Sequence, residues 1–187
     1  MRIIGGNMRG TKLFTLEGLN TRPTLDRVKE SLFNILNFDL KDSTVLDLFA
    51  GSGALSLESV SRGSAKAFAC DKSREAIKII ERNVEKTRAE SKVKILNMDY
   101  CDALNKFKND NQKFNIIFLD PPYESLFAED AIEKIEKYGL LEKDGKVIIE
   151  TDDKDKVLKN IDSKLDKLEL IDTRKYGRVS LLFFSSR

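Results

Sequence analysis

The sequence predicts an α/β protein: a mostly parallel sheet with helices on both faces, closed by an antiparallel strand. Three observations carry that prediction. From residue 44 onward, short runs rich in Val, Ile, Leu and Phe alternate with amphipathic stretches, the pattern of βα units. A glycine turn, "AGSG", follows the first of these runs. The chain then ends on two strand-like runs with no helix between them, "KLELIDTRKYG" and "RVSLLFFSS", which read as a hairpin joined at Tyr176–Gly177. A terminal hairpin adds an antiparallel strand and makes the sheet mixed.

Taken in order, "RIIGG" and "TKLFTL" read as short strands around a turn containing Gly10. "RPTLDRVKESLFNILNF" follows as a helix, with Pro23 and Thr24 at its start and Val28, Leu32, Ile35 and Leu36 on one face. Strands are expected at 44–49, 65–70, 92–97, 114–119 and 146–150. Each is followed by a helix, near 53–62, 73–88, 101–108, 127–137 and 154–162. Residues 1–40 form an extension and 41–187 the α/β domain, with no internal repeat and no low-complexity tract.

In such sheets ligands bind beyond the carboxyl ends of the strands. One edge therefore collects the glycine turn, Asp71, Asp99 and Asp120. Gly51 and Gly53 allow a tight turn and close backbone approach, and the helix that follows offers free N–H groups to an anionic ligand. Asp71, about 20 residues further on, stands where an acidic residue accepts ribose hydroxyls. A dinucleotide fingerprint would want Gly or Ala where Ser56 stands, so a nucleoside cofactor other than NAD fits better. Asp99 is placed to accept from an exocyclic amine such as adenine N6, with Asp102 its rival; both also suit helix caps.

"IIFLDPPYE" is a buried run ended by Pro121 and Pro122, which cannot donate to a sheet ladder. Two prolines leave carbonyls without competing N–H donors, the Asp120 side chain accepts, and Tyr123 adds an aromatic face. Acceptors and a ring suit a planar base carrying an –NH2 group. Acceptors on both N–H bonds free the nitrogen lone pair and stabilise charge developing there. That explains amine methylation better than hydride transfer.

Composition prunes the alternatives. There is no histidine, which excludes Ser-His-Asp triads, imidazole acid–base chemistry and HExxH zinc sites. Cys70 and Cys101 alone supply neither a disulfide framework nor a four-ligand zinc site, so no metal and a reducing cytoplasm are expected. No apolar run reaches the ~18 residues of a membrane span. Cytosine C5 methylation would need a cysteine nucleophile, and Cys101 lacks the Pro–Cys setting for it. Net charge is +2, yet residues 1–30 hold six basic residues (Arg2, Arg9, Lys12, Arg22, Arg27, Lys29) against three acidic, so that block is the expected face for a polyanion.

"LDLFAGSG" with "DPPY" resembles the class I S-adenosyl-L-methionine-dependent amino methyltransferases. "MRIIGGNMRGTKL", "RPTLDRVKESLFNIL" and "KYGRVSLLFF" bring the likeness, over residues 1 to about 184, to the RsmD family of bacterial 16S rRNA guanine-N2 methyltransferases. The resemblance implies a Rossmann-like, seven-stranded sheet whose last strand is antiparallel. It also implies N2 methylation of one small-subunit rRNA guanine within an assembled or assembling particle; a cytoplasmic protein acting as a monomer is expected alongside it.

Carried over by position, Asp47, Phe49, Gly51, Ser52 and Gly53 line the methionine end of the cofactor, Asp71 holds ribose and Asp99 adenine. Asp120, Pro121, Pro122 and Tyr123 hold the guanine, and Arg2, Arg9, Lys12, Arg22, Thr24 and Arg27 meet RNA. The ribose residue is often glutamate in the family and Phe often stands in place of Tyr123, so the hydroxyl of Tyr123 is not expected to be needed. Two other readings share these motifs. An adenine-N6 methyltransferase would need a target-recognition region for which 187 residues leave little room, and a silent RNA-binding protein would not need Asp120.

Overall fold

The structure is a computed structural model that describes residues 1–16, 23–122, 125–162 and 164–187, the first three of the second stretch by backbone alone. Arg22 and Tyr123, and the side chain of Thr24, lie outside the described residues.

The elements follow the expected order: α1 Pro23–Ile35, β1 Thr44–Asp47, α2 Ala54–Ser61, β2 Lys66–Asp71, α3 Arg74–Thr87, β3 Val93–Asn97, α4 Tyr100–Asn109, β4 Phe114–Leu119, α5 Phe127–Tyr138, β5 Leu141–Thr151, α6 Lys154–Ile161, β6 Leu168–Tyr176 and β7 Val179–Ser186. They build one seven-stranded sheet in the order β3-β2-β1-β4-β5-β7-β6. β1 to β5 pair in parallel, and β7 runs antiparallel to both β5 and β6. The strand order turns back between β1 and β4, a topological switch point where α/β sheets open a crevice.

Alternation along the strands builds two cores. Val45, Ala67, Ile116, Phe118, Ile148 and Leu181 face α1, α2 and α3. Leu46, Phe68, Ile117, Leu119, Val147 and Ile149 face α4, α5 and α6. Local chemistry sets the ends. Ser73 caps α3 by accepting from the Ala76 N–H at 3.3 Å, and Gly139 closes α5 at φ 63°.

Three boundaries depart from expectation. β5 begins five residues early, at Leu141, and a register shift lies between Phe114 and Ile116 where it pairs with β4. The closing hairpin turns at Gly177–Arg178, between paired Tyr176 and Val179. The N-terminal hairpin shrinks to a single antiparallel bridge, Arg2 to Lys12. Its backbone is engaged elsewhere: the N–H groups of Ile4 and Gly5 donate to the Glu58 carboxylate on α2, each at 2.8 Å. Gly6, at φ 74°, lies so close to α2 that a Cβ there would stand 1.8 Å from the Ser61 carbonyl oxygen. The "GG" of the extension is a docking surface.

Ile3 and Leu13 join the same core as α1 and α2. The buried Asn83 of α3 ties this docking to the glycine turn: its amide accepts from the Phe14 N–H at 2.7 Å and donates to the carbonyls of Phe14 and Ser52, each at 2.9 Å. The extension and the α/β domain thus share one core. Among the described residues, no helix is long and apolar enough to cross a membrane.

Candidate active site

β1 delivers the chain into the turn at Ala50–Gly53. Gly51 and Gly53 take φ of 54° and 75°, where a side chain is strained. A Cβ at Gly51 would meet nothing within 4 Å and project into open space, whereas one at Gly53 would press on Ile80 at 3.2 Å. The turn is held by Asp71 at the end of β2, whose two oxygens accept from the Gly51 N–H at 2.9 Å and the Ser73 N–H at 2.8 Å. A carboxylate has about four acceptor sites, so Asp71 retains capacity for hydroxyl donors. An open face above Gly51, a helix N-terminus behind it and an acidic strand end beside it fit the nucleoside cofactor expected from the sequence.

Asp47 lies beneath the turn, 1% exposed, and accepts from the Ser56 hydroxyl at 2.9 Å and its N–H at 3.2 Å. This is why a serine stands at that helix position. Burial pushes the Asp47 pKa up to about 7, against the Ser56 hydrogen bonds, and the charges of Asp120 and Asp71 add to the rise. A raised folded-state pKa means that stability from the protonated form is complete below about pH 4 and is lost as pH rises through about 7. Asp47→Asn cannot titrate. Its stability relative to the native chain should therefore climb between pH 4 and 7, by at most about 1.4 kcal/mol per pH unit, and level off above. Urea denaturation across that range reads this directly, and a pH-independent difference would contradict it.

Asp99 ends the segment after β3 and caps α4, accepting from the Cys101 N–H at 3.0 Å. Asp102 is exposed in the first turn of α4. Phe49 stacks on Phe127 at 6.4 Å and packs against Tyr100 at 5.4 Å, with Tyr100 and Phe127 5.1 Å apart. Tyr100 donates to Asp130 at 2.8 Å, and the Lys72 ammonium lies 5.5 Å from the Phe127 ring centre. Tyr100 and Phe127 were not expected from the sequence; the aromatic directly after Asp99 was the available signal. Cys101 faces the Asp130 carboxylate at 3.8 Å, and burial pushes the Cys70 thiol up to about 12. Neither is placed as a nucleophile.

β4 ends at Leu119, so Asp120 emerges at the same edge as Asp47 and Asp71. Pro121 is buried and Pro122 exposed. The Pro122 carbonyl accepts from the Ser125 hydroxyl at 2.7 Å, which uses one of its two lone pairs. Asp120 shares an open recess of about 180 Å³ with Leu32 of α1, Leu55 of α2, Phe118, Ile148, Leu181 and Glu150. Asp120 is exposed at the strand end, and the protein packed around it, then the Glu150 charge, shifts its pKa upward. Burial raises Glu150 likewise. The sequence did not single out Glu150, whose signal was a charge at the end of a buried strand on this edge.

The basic block separates into two kinds. Arg2, Arg9, Lys12 and Arg27 are exposed, with Arg2 3.6 Å from Asp26. Lys29 is buried against Glu58 at 3.3 Å and cannot serve as a surface charge. Of these, Arg27 lies on α1, the helix that contributes Leu32 to the wall of the recess.

Residues 1–185 match the family described as conserved hypothetical protein 95. The ribosomal RNA small subunit methyltransferase D of Haemophilus influenzae is 36% identical over 84% of this chain and 81% of its own length. The protein of that name from Escherichia coli K12 is 35% identical over 81% and 75%. A solved structure from Thermus thermophilus superposes with a TM-score of 0.80 at 27% identity, covering 99% of both chains.

Proposed function

Because the chain belongs to the conserved hypothetical protein 95 family, that of the small-subunit rRNA methyltransferases D, we propose that it methylates the exocyclic N2 amine of a guanine in small-subunit (16S) rRNA, with S-adenosyl-L-methionine as donor. The observation that carries this reading is the shared edge: the glycine turn, Asp71 and Asp120 lie at the ends of β1, β2 and β4, across the switch point.

When bound, the cofactor supplies an electrophilic methyl group on a sulfonium. Gly51, Ser52 and Gly53 present backbone to its methionine end, with Asp47 bracing the turn from below and Phe49 beside it. Asp71 accepts from the ribose and Asp99 from the adenine amine. Asp120 accepts from the target N2 amine, which directs the nitrogen lone pair away from the base plane and stabilises positive charge as the N–C bond forms. The proton leaves after attack, so Asp120 acts as an acceptor and need not remove it beforehand. Pro121 and Pro122 fix the direction in which Asp120 leaves the strand, and Tyr123 supplies a ring for stacking.

Residues 1–40 carry the RNA face, with Arg2, Arg9, Lys12, Arg22, Thr24 and Arg27, and 41–187 the catalytic domain. A monomer working in the cytoplasm on an assembled or assembling small subunit is the state this reading takes.

The test uses small-subunit particles and free 16S rRNA from a strain lacking the activity, incubated with the protein and methyl-labelled cofactor. Nucleoside analysis should show labelled N2-methylguanosine only when the protein is present. Labelled N6-methyladenosine would replace the target assignment, and RNA binding with no transfer would mark a silent binder.

A further inference from the structure

We propose that Glu150 is a specificity-determining residue that accepts the N1–H of the target guanine beside the amine held by Asp120. This rests on the guanine-N2 reading above and names how that base is distinguished.

Leu119 pairs with Ile149 in the parallel β4–β5 register, so Asp120 and Glu150 are the next level on adjacent strands. Side chains at one level of neighbouring strands point to the same face. Alternation fixes which face: Phe118 and Ile148, two positions before each carboxylate, both belong to the core under α1 and α2. Pairing of Glu150 with Leu181 of β7 holds the strand on its other side. The two carboxylates therefore stand together over an apolar floor of Leu32, Leu55, Phe118, Ile148 and Leu181. Among the described residues, no hydrogen bond to either supports its charge.

Each carboxyl's pKa is raised where the two stand together, and two adjacent N–H donors from one base edge favour the ionised form of both, in which they only accept. Two of them side by side call for a ligand edge with two adjacent donors. Guanine presents N1–H next to its N2 amine. Adenine presents its N6 amine next to the N1 acceptor, which a second carboxylate would repel. Enzymes that act on an extruded base read that Watson–Crick edge. A site built to hydrogen-bond a donor rejects an analogue lacking it far more strongly than an apolar pocket rejects a shape change. Asp120 would hold the reacting amine in either base; Glu150 would tell them apart.

The experiment compares RNA bearing guanine at the target with RNA bearing 2-aminopurine there, in particles reconstituted once the methylated nucleotide is known. The analogue keeps the 2-amine, lacks the 6-oxygen and turns N1 into an acceptor, so the change in preference on Glu150→Gln isolates the N1 contact. The native enzyme should transfer to guanine at a single-turnover rate about 10²-fold above that for 2-aminopurine. Glu150→Gln keeps an acceptor for N1–H and gains a donor, so it should still methylate guanine and discriminate by less than about 10-fold. A native enzyme that uses both bases equally overturns the proposal without any variant, as does a Glu150→Gln enzyme whose preference is unchanged. Methylation of guanine N2 in either case leaves the proposed function standing, whereas label found only on adenine removes both.

Discussion

Asp120→Ala and Asp120→Asn should each lower the single-turnover methyl-transfer rate on small-subunit particles by about 10²–10³, the scale of one preorganised interaction with developing charge. The amide is as damaging as the truncation because it can present a donor where two acceptors are wanted. Affinity for the cofactor should change little, since Asp71 and the turn at Gly51 hold a separate part of the edge. The pH profile carries a second signature. The protein packed around it and the Glu150 charge raise the pKa of the exposed Asp120, and the ionised form is the one that accepts. The native rate should therefore rise with pH through a midpoint above the ordinary carboxylate range and then level. A fully active Asp120→Ala enzyme with a correct fold would remove the role given to this strand end.

Glu58→Ala should cost about 3–5 kcal/mol of stability, the range for breaking a buried ion pair by removing one partner. Glu58 is fully buried and accepts from the N–H groups of Ile4 and Gly5 and from Arg62 at 2.9 Å, with the Lys29 ammonium at 3.3 Å. Burial pulls the Lys29 pKa down and Glu58 opposes that pull. Truncating the glutamate leaves the Ile4 and Gly5 N–H groups without their acceptor, the half-buried Arg62 guanidinium without its carboxylate, and the buried Lys29 ammonium with the Arg2 carbonyl but no counter-charge. Replacing the pair together, Glu58→Leu with Lys29→Met, should recover part of the loss, because it removes both the acceptor and its most buried cation. Chemical denaturation of the two variants decides the matter. A Glu58→Ala protein within about 1 kcal/mol of the native would refute the account.

The sheet was legible because its strands are dense in Val, Ile, Leu and Phe and are punctuated by Gly, Pro and Asp. The strand ends were legible too, and Asp71, Asp99 and Asp120 fall on one edge as expected. What stayed hidden was the buried polar chemistry. Glu58 reads as a solvent-facing residue, yet α2 is buried on nearly every side because the extension covers it. Lys29 counts as a surface charge in any tally and is an interior one. The expected N-terminal strands rested on β-forming residues, whereas two of their N–H groups bond to a helix 54 and 53 residues away. Glu150 was lost among the charges of "ETDDKD" because nothing local says that its strand runs beside β4 in step with Asp120.

Asn83 has a consequence for descent. Its one amide joins Phe14 of the extension to Ser52 of the glycine turn, and Glu58, Ser61 and Arg62 grip the same extension from α2. A boundary at residue 40 would divide the proposed tasks without dividing cores. The first forty residues cannot be exchanged between lineages as a cassette unless α2 and this asparagine travel with them. The segment proposed to meet RNA and the domain proposed to hold the cofactor are bound to be inherited as one.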